Sequence, residues 1–289
     1  MTINHTEASE LNAENLHHVM GLGIAGNFAG HLEQAGETPD FVEVECESDI
    51  APKGLFPYFI PEQPAQIGVY PFSASQIKYP ENLQNDAHLQ AEPEVCVLFD
   101  MKYEFGKVAR MQPIAFAAFN DCSIRKPGAK KISEKKNWGP ETKGVSNQFL
   151  PVSRLDEGGE LDEYRIIAYF KRDEDWQLYG NDSPISSYSY FHQKLMDWMQ
   201  DKLNHQADFG PLENLNQWIH QANFPKQLLI SLGATTYTEL GENTFLQSGD
   251  EIAIFVYHQS ITKATIENSI DTPETLPAGK VSVLKQKIV

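Results

Sequence analysis

Apolar-rich runs of five to seven residues recur along this chain, continuous at residues 95–99 (Val-Cys-Val-Leu-Phe) and 113–119, and carrying one or two polar residues at 164–170, 227–231 and 251–257. Runs of this length, rich in β-branched and aromatic residues, predict β-strands. Residues 41–47 (Phe-Val-Glu-Val-Glu-Cys-Glu) alternate instead, which predicts a strand with one wet face. Helical periodicity is rarer. It predicts a helix between residues 186 and 204, with Tyr188, Phe191, Leu195, Trp198 and Met199 on its buried side. A shorter helix is predicted from Pro211 to about Ala222, with proline in the first turn and Leu212, Leu215, Trp218 and Ile219 inward. The chain therefore reads as α+β, mainly β. The polar ends divide it into an N-terminal arm (1–20), a core (21–259) and a C-terminal extension (260–289).

With 289 residues, 41% of them apolar, the chain can fill a sizeable core. A net charge of −17 argues against nucleic-acid or anionic-membrane partners, which repel such a surface. Three widely spaced cysteines form neither a disulfide framework nor a metal knuckle, and suit a reducing cytosol. No basic leader with an apolar stretch, and no apolar run near the ~20 residues that span a bilayer, is visible, so a cytoplasmic protein is expected.

Chemistry concentrates at two places. In Glu92-Pro93-Glu94, just before the run at 95–99, residues two apart on a strand share a face, so both carboxylates enter one space. Pro93 has no N–H for a ladder, which places the pair at a strand entrance or edge. Taken alone, such a pair also fits a solvated acidic face. The second place is the end of the run at 113–119, which stops on Asn120, Asp121, Ser123 and Arg125.

A Glu-x-Glu on a strand, an Asn-Asp-x-Ser-x-Arg stretch, then a lysine followed by a proline resembles the fumarylacetoacetate hydrolase family; Lys143 stands eight residues before Pro151. Residues 21–31 are similar to that family's Gly-x-Asn-Tyr-x-x-His segment, with Asn27, Phe28 and His31 in place. Residues 245–256 are similar to its Phe-Leu-x-x-Gly-Asp strand, so the likeness runs from about residue 21 to 257. It implies a mixed β-sandwich roll with a few helices. Glu92, Glu94 and Asp121 would be metal ligands, Asn27 and Arg125 substrate contacts, and Lys143 a catalytic lysine. It implies Mg2+, with Mn2+ or Ca2+ as alternatives, and a homodimer. Two departures stand out. The glutamate expected three residues after His31 is Gln34, leaving Glu33 as the nearest carboxylate, and Thr-Gly-Thr-Pro is replaced by Ser231, Leu232, Gly233, Ala234 and Thr235.

Three carboxylates make a hard oxygen site that leaves positions open for a chelating ligand, and zinc is disfavoured without histidine or thiolate. The expected activity is metal-dependent hydrolysis or lysis of a small anionic 2-oxo acid or acylpyruvate-like compound through a stabilised enolate. A hydratase, decarboxylase or isomerase on the same scaffold, or a metal-binding homologue without turnover, are the alternatives. His31, paired with Glu33, is the candidate general base. Residues 125–143 hold seven cations against two glutamates, an excess of five. That segment reads either as a mobile lid over an anionic substrate or as a solvated loop.

Overall fold

The computed structural model describes residues 11–44, 46–81, 83 and 87–289. The larger sheet runs, in spatial order, Gly54–Phe59 (β2), Met20–Ala25 (β1), Gln227–Ser231 (β13), Pro93–Glu104 (β6), Lys107–Asn120 (β7), Lys143–Val145 (β9) and Phe72–Ser73 (β3). Leu150–Pro151 (β10) adds an eighth strand against β7. A second sheet runs Asp175–Pro184 (β12), Tyr164–Arg172 (β11), Glu251–His258 (β14), Val281–Ile288 (β15) and Gln76–Ile77 (β4). His88–Gln90 (β5) and Ser123–Arg125 (β8) form a two-stranded ribbon.

The unbroken apolar runs are strands covered on both faces. On β6, Val95, Val97 and Phe99 join a core shared with Ile166 and Ile254 of the second sheet and with Leu195 and Trp198 of the helix His192–His205. The intervening Cys96 and Leu98 enter a different core with Phe56, Tyr58 and Phe119. A third core, with Phe255, Tyr257 and Ile266, fills the outer side of the second sheet. Every position therefore loses apolar area to a neighbour, the condition that lets a strand dispense with polar alternation.

The structure corrects several expectations. Residues 41–47 are not a strand: Thr38–Phe41 is a 3-10 turn, Val42 is exposed, and position 45 lies outside the described residues. Alternation makes a strand only where a neighbouring strand takes up the backbone, and among the described residues none pairs here. The first helix begins at His192, because Phe191 is extended (φ −146°, ψ 174°), so Tyr188 and Phe191 pack from outside it. The second spans only Leu215–Gln221, since the Asn214 side chain accepts from the Gln217 N–H at 3.0 Å and fixes its start beyond Pro211. Residues 260–289, expected as an extension, supply β15, which lies between β14 and β4 inside the second sheet. Of the N-terminal arm, residues 1–10 lie outside the described residues, whereas Leu16 and Val19 are buried. No helix among the described residues is long and apolar enough to cross a membrane.

Candidate metal centre

β6 and β7 are an antiparallel hairpin whose turn, Phe105 and Gly106, takes left-handed backbone at both positions (φ 52° and 76°). Its far end is open. There Pro93 pairs with Asn120, so Glu92, just before β6, and Asp121, just after β7, stand side by side. The Asp121 N–H donates to the Glu92 carbonyl at 3.0 Å and the Glu92 N–H to Asn120 Oδ1 at 3.1 Å. Glu94 lies two residues along β6 on the same face. One ligand oxygen from each of Glu92, Glu94 and Asp121 lies within 4.8 Å of the other two, and all three residues are buried.

C-terminal strand β15 reaches this centre. Gln286 accepts from Asn120 Nδ2 at 3.1 Å and donates to the Ser73 and Gln76 carbonyls at 3.2 Å. Asn120 is thereby fixed as the group that holds the Glu92 backbone. A Cβ on Gly144 would stand 2.3 Å from Gln286 Oε1, so that glycine makes room for the support.

Four cations answer the carboxylates. Lys143 Nζ, fully buried, lies 2.7 Å from Asp121 Oδ1 and donates to the Cys122 carbonyl. Lys136 Nζ lies 2.6 Å from Asp121 Oδ2 and 2.9 Å from Glu92 Oε2. Arg125 reaches Glu92 Oε1 at 2.6 Å, Glu37 Oε1 at 2.7 Å and Gln90 Oε1 at 2.9 Å. Lys135 ties Glu37 to Asp40 at 3.4 and 2.5 Å. Burial alone would raise the Glu92 pKa, but Arg125 and then Lys136 outweigh it and hold the carboxyl well below its usual range. Burial likewise acts against the Lys136 ammonium and is outweighed by Asp121 and Glu92, which raise its pKa. Glu94 behaves oppositely: burial, then Asp121 and Glu92, push it well above the usual carboxylate range.

His31 opens the short helix His31–Gln34 and is buried against this cluster, its ring 5.1 Å from that of Tyr237. Nδ1 lies 3.1 Å from the Thr235 carbonyl, which can only accept, so Nδ1 carries the proton and Nε2 keeps its lone pair. Burial is the main reason its pKa falls to about 4, with Arg125 adding to the fall and Glu92 and Glu37 opposing it. The ring is therefore neutral near pH 7.

The sequence-predicted residues do not all converge. Asn27 is spent on backbone: its amide donates to the Tyr190 and Leu232 carbonyls at 3.1 and 3.0 Å, and Oδ1 accepts from the Tyr190 N–H at 2.9 Å. Glu33 is exposed and faces a surface cleft beside Asp49 and Lys53. The carboxylate that acts on His31 from this stretch is Glu37. Gln34 instead pins Tyr237, accepting from its N–H at 3.0 Å and donating to its carbonyl at 3.2 Å. Residues 125–143 are not a solvated loop throughout, because Lys135, Lys136 and Lys143 are buried. Gly233 explains what survives of the altered loop: its φ of 107° suits glycine, and its N–H donates to Glu94 Oε2 at 3.0 Å.

A family model described as a family of unknown function, DUF5718, matches residues 37–288. The chain belongs to that family. No curated protein matches the sequence. Among solved structures, Cg1458 with inhibitor is similar at 15% identity and a TM-score of 0.55, over 93% of this chain and 76% of that one. A candidate fumarylacetoacetate isomerase/hydrolase from Oleispira antarctica is similar at 11% identity and a TM-score of 0.52, over 94% and 93%. Maleylpyruvate hydrolase from Sphingobium sp. SYK-6 is similar at 10% identity and a TM-score of 0.50, over 93% and 70%. This DUF5718 chain therefore has the fumarylacetoacetate hydrolase fold, the mainly β architecture expected from its sequence.

The donor set of the DUF5718 centre fits a hard divalent cation. Glu94 is a buried carboxylate with no ion-pair partner among the described residues and one backbone N–H on Oε2. Ser231 is near enough to favour its charged form, yet the Ser231 hydroxyl is fully buried and makes no hydrogen bond of normal geometry. A buried carboxylate beside an orphaned hydroxyl is what a cation would satisfy. Sequence reasoning missed Glu37, Lys136, Gln90 and Tyr237. Only Lys136 carried a signal, as one of the seven cations after Asp121.

Proposed function

We propose that this chain is a divalent-metal-dependent enzyme acting on a small anionic 2-oxo acid or acylpyruvate-like compound, breaking a C–C bond by hydrolysis or lysis. The observation that carries the reading is the buried convergence of Glu92, Glu94 and Asp121, with Glu94 left without a cation. The fold shared with a maleylpyruvate hydrolase supports the substrate class. Those three carboxylates would hold Mg2+ or Mn2+, which supplies positive charge to a 2-oxo group whose oxygen gains negative charge.

The rest of the work falls to the chain. His31 holds its proton on Nδ1 against Thr235 and offers Nε2 as the base that takes a proton from water. Arg125 is locked between Glu37 and Glu92, so it aims the guanidinium at one place at little further entropic cost. Lys143 fixes Asp121 from beneath and adds a positive charge that water does not screen. A second reading, a hydratase, decarboxylase or isomerase, is favoured by one observation. His31 Nδ1 meets a carbonyl and not a carboxylate, so it lacks the charged partner that strengthens a base for water attack.

The test is a screen of the purified chain with Mn2+ or Mg2+ against acylpyruvates and 2-oxo acids, following loss of the enol absorbance. Turnover that disappears in Glu94→Ala is expected. Absence of both turnover and divalent-ion binding by calorimetry overturns the reading.

A further inference from the structure

All four carboxylate oxygens of Glu92 and Asp121 already face side-chain cations. Glu92 Oε1 meets Arg125 at 2.6 Å and Asp121 Oδ1 meets Lys143 at 2.7 Å. The remaining two, Glu92 Oε2 and Asp121 Oδ2, share a single ammonium, Lys136 Nζ, at 2.9 and 2.6 Å. Among the described residues Lys136 is thus the one cation that bridges two of the three candidate ligands. It is 2% exposed, with Nζ 4.7 Å from the centroid of the Phe56 ring, whose π face also favours the charge.

We propose that Lys136 is the resident counter-cation of the carboxylate triad and sets its affinity for a divalent ion by competing for the same oxygens. The inference rests on the reading that the triad binds a metal. A divalent ion bonds carboxylate oxygens at about 2.0–2.6 Å. Each of these oxygens keeps a second lone pair, but an ammonium bridging them at 2.6 and 2.9 Å already neutralises them and would repel a doubly charged neighbour across a dry gap. Ion entry is therefore opposed for as long as the ammonium stays on those oxygens.

Lys143 is not the competitor. It is held by the Cys122 carbonyl as well as by Asp121, and it touches only one of the three carboxylates. Lys136 hangs from the end of the 3-10 turn Ile132–Lys135, and carboxylates are the only side-chain hydrogen-bond partners of its Nζ among the described residues. Its replacement would leave Glu92 and Asp121 facing each other and Glu94 with less positive charge nearby. A divalent ion would then be the remaining way to neutralise them.

The experiment titrates Mn2+ into the full chain and into Lys136→Met by calorimetry, with Glu94→Ala to locate the ion at the triad. We expect Lys136→Met to bind Mn2+ at least about tenfold more tightly than the unsubstituted chain. Melted without metal, it should be less stable than the unsubstituted chain and should gain more from added Mn2+. Lys136→Gln, which keeps hydrogen bonding but not the charge, repeats the comparison should the methionine variant not fold. Unchanged or weaker Mn2+ binding in folded variants, with clear binding to the unsubstituted chain, overturns this inference and leaves the metal reading standing. Absence of Mn2+ binding in every protein at millimolar ion overturns both.

Discussion

Asn27 ties three separate pieces of backbone together, and its removal offers a measurable account of what holds the centre in place. Its amide donates to the carbonyls of Tyr190 and Leu232, and its oxygen accepts from the Tyr190 N–H, all inside a site where Asn27 is 1% exposed. In Asn27→Ala these three groups lose their partner where water does not reach. Each unsatisfied buried group costs about 1–3 kcal/mol, and with partial relaxation the total should be about 3–5 kcal/mol. For a chain of this size that corresponds to a fall in Tm on the order of 10 °C. Asn27→Asp keeps the shape but turns both donors into acceptors facing carbonyls, so its loss should be at least as large. The assay is urea unfolding followed by far-UV circular dichroism, reading the midpoint at constant m. A loss below about 1 kcal/mol in both variants would refute the reasoning, because it would mean that the clamp is hydrated or dispensable.

Two further outcomes follow from the charges. The His31 pKa falls from 6.5 to about 4 in the fold, so the unfolded chain binds the extra proton first. Its contribution is full above about pH 6.5 and is lost as pH falls towards 4, by at most about 3 kcal/mol. The stability difference between the chain and His31→Gln, measured by urea unfolding from pH 4 to 7, should therefore grow with pH and level off near 6.5; a flat difference contradicts it. Glu37→Gln strips Arg125 and Lys135 of a shared partner and should cost about 1–3 kcal/mol, whereas exposed Glu33→Ala should change stability by less than about 0.5 kcal/mol. Equal effects of the two substitutions on thermal melts would show that the carboxylates have been assigned the wrong places.

The strands were legible where burial on both faces wrote an apolar-rich run: residues 227–231, apolar at their centre, are β13 to the residue, and the continuous run 95–99 lies inside β6. β15 was not legible, since residues 281–288 include Ser282, Lys285, Gln286 and Lys287, and Gln286 is buried only because Asn120 and two carbonyls satisfy its amide. Polar residues inside a sheet read as surface until their partners are known. The same limit applied at the centre. Glu92, Glu94 and Asp121 could be read together because strand spacing and the hairpin end make their proximity a local matter. Lys136 and Glu37 arrive from loops whose positions no periodicity encodes, and Lys136 was indistinguishable from six other cations in the same stretch. Asn27 was recognised as a special position, but its environment comes from Tyr190 and Leu232, more than 160 residues away.

β13 lies between β1 and β6 in the larger sheet, parallel to one and antiparallel to the other. Those two flanking strands are complete by residue 104, but the strand that joins them begins only at residue 227. During synthesis, β1 and the β6–β7 hairpin must wait for more than a hundred residues with open edges facing each other. Pairings this distant in sequence form slowly, because the loop entropy is lost before the contacts repay it. The waiting edges are apolar and can accept any extended segment, so the nascent chain passes through a state open to misassembly. The carboxylate centre feels the same delay, since Gly233, which holds Glu94, and Thr235, which orients His31, arrive together with β13. A chain stalled before residue 227 would carry all three acidic side chains yet lack the loop that orders them.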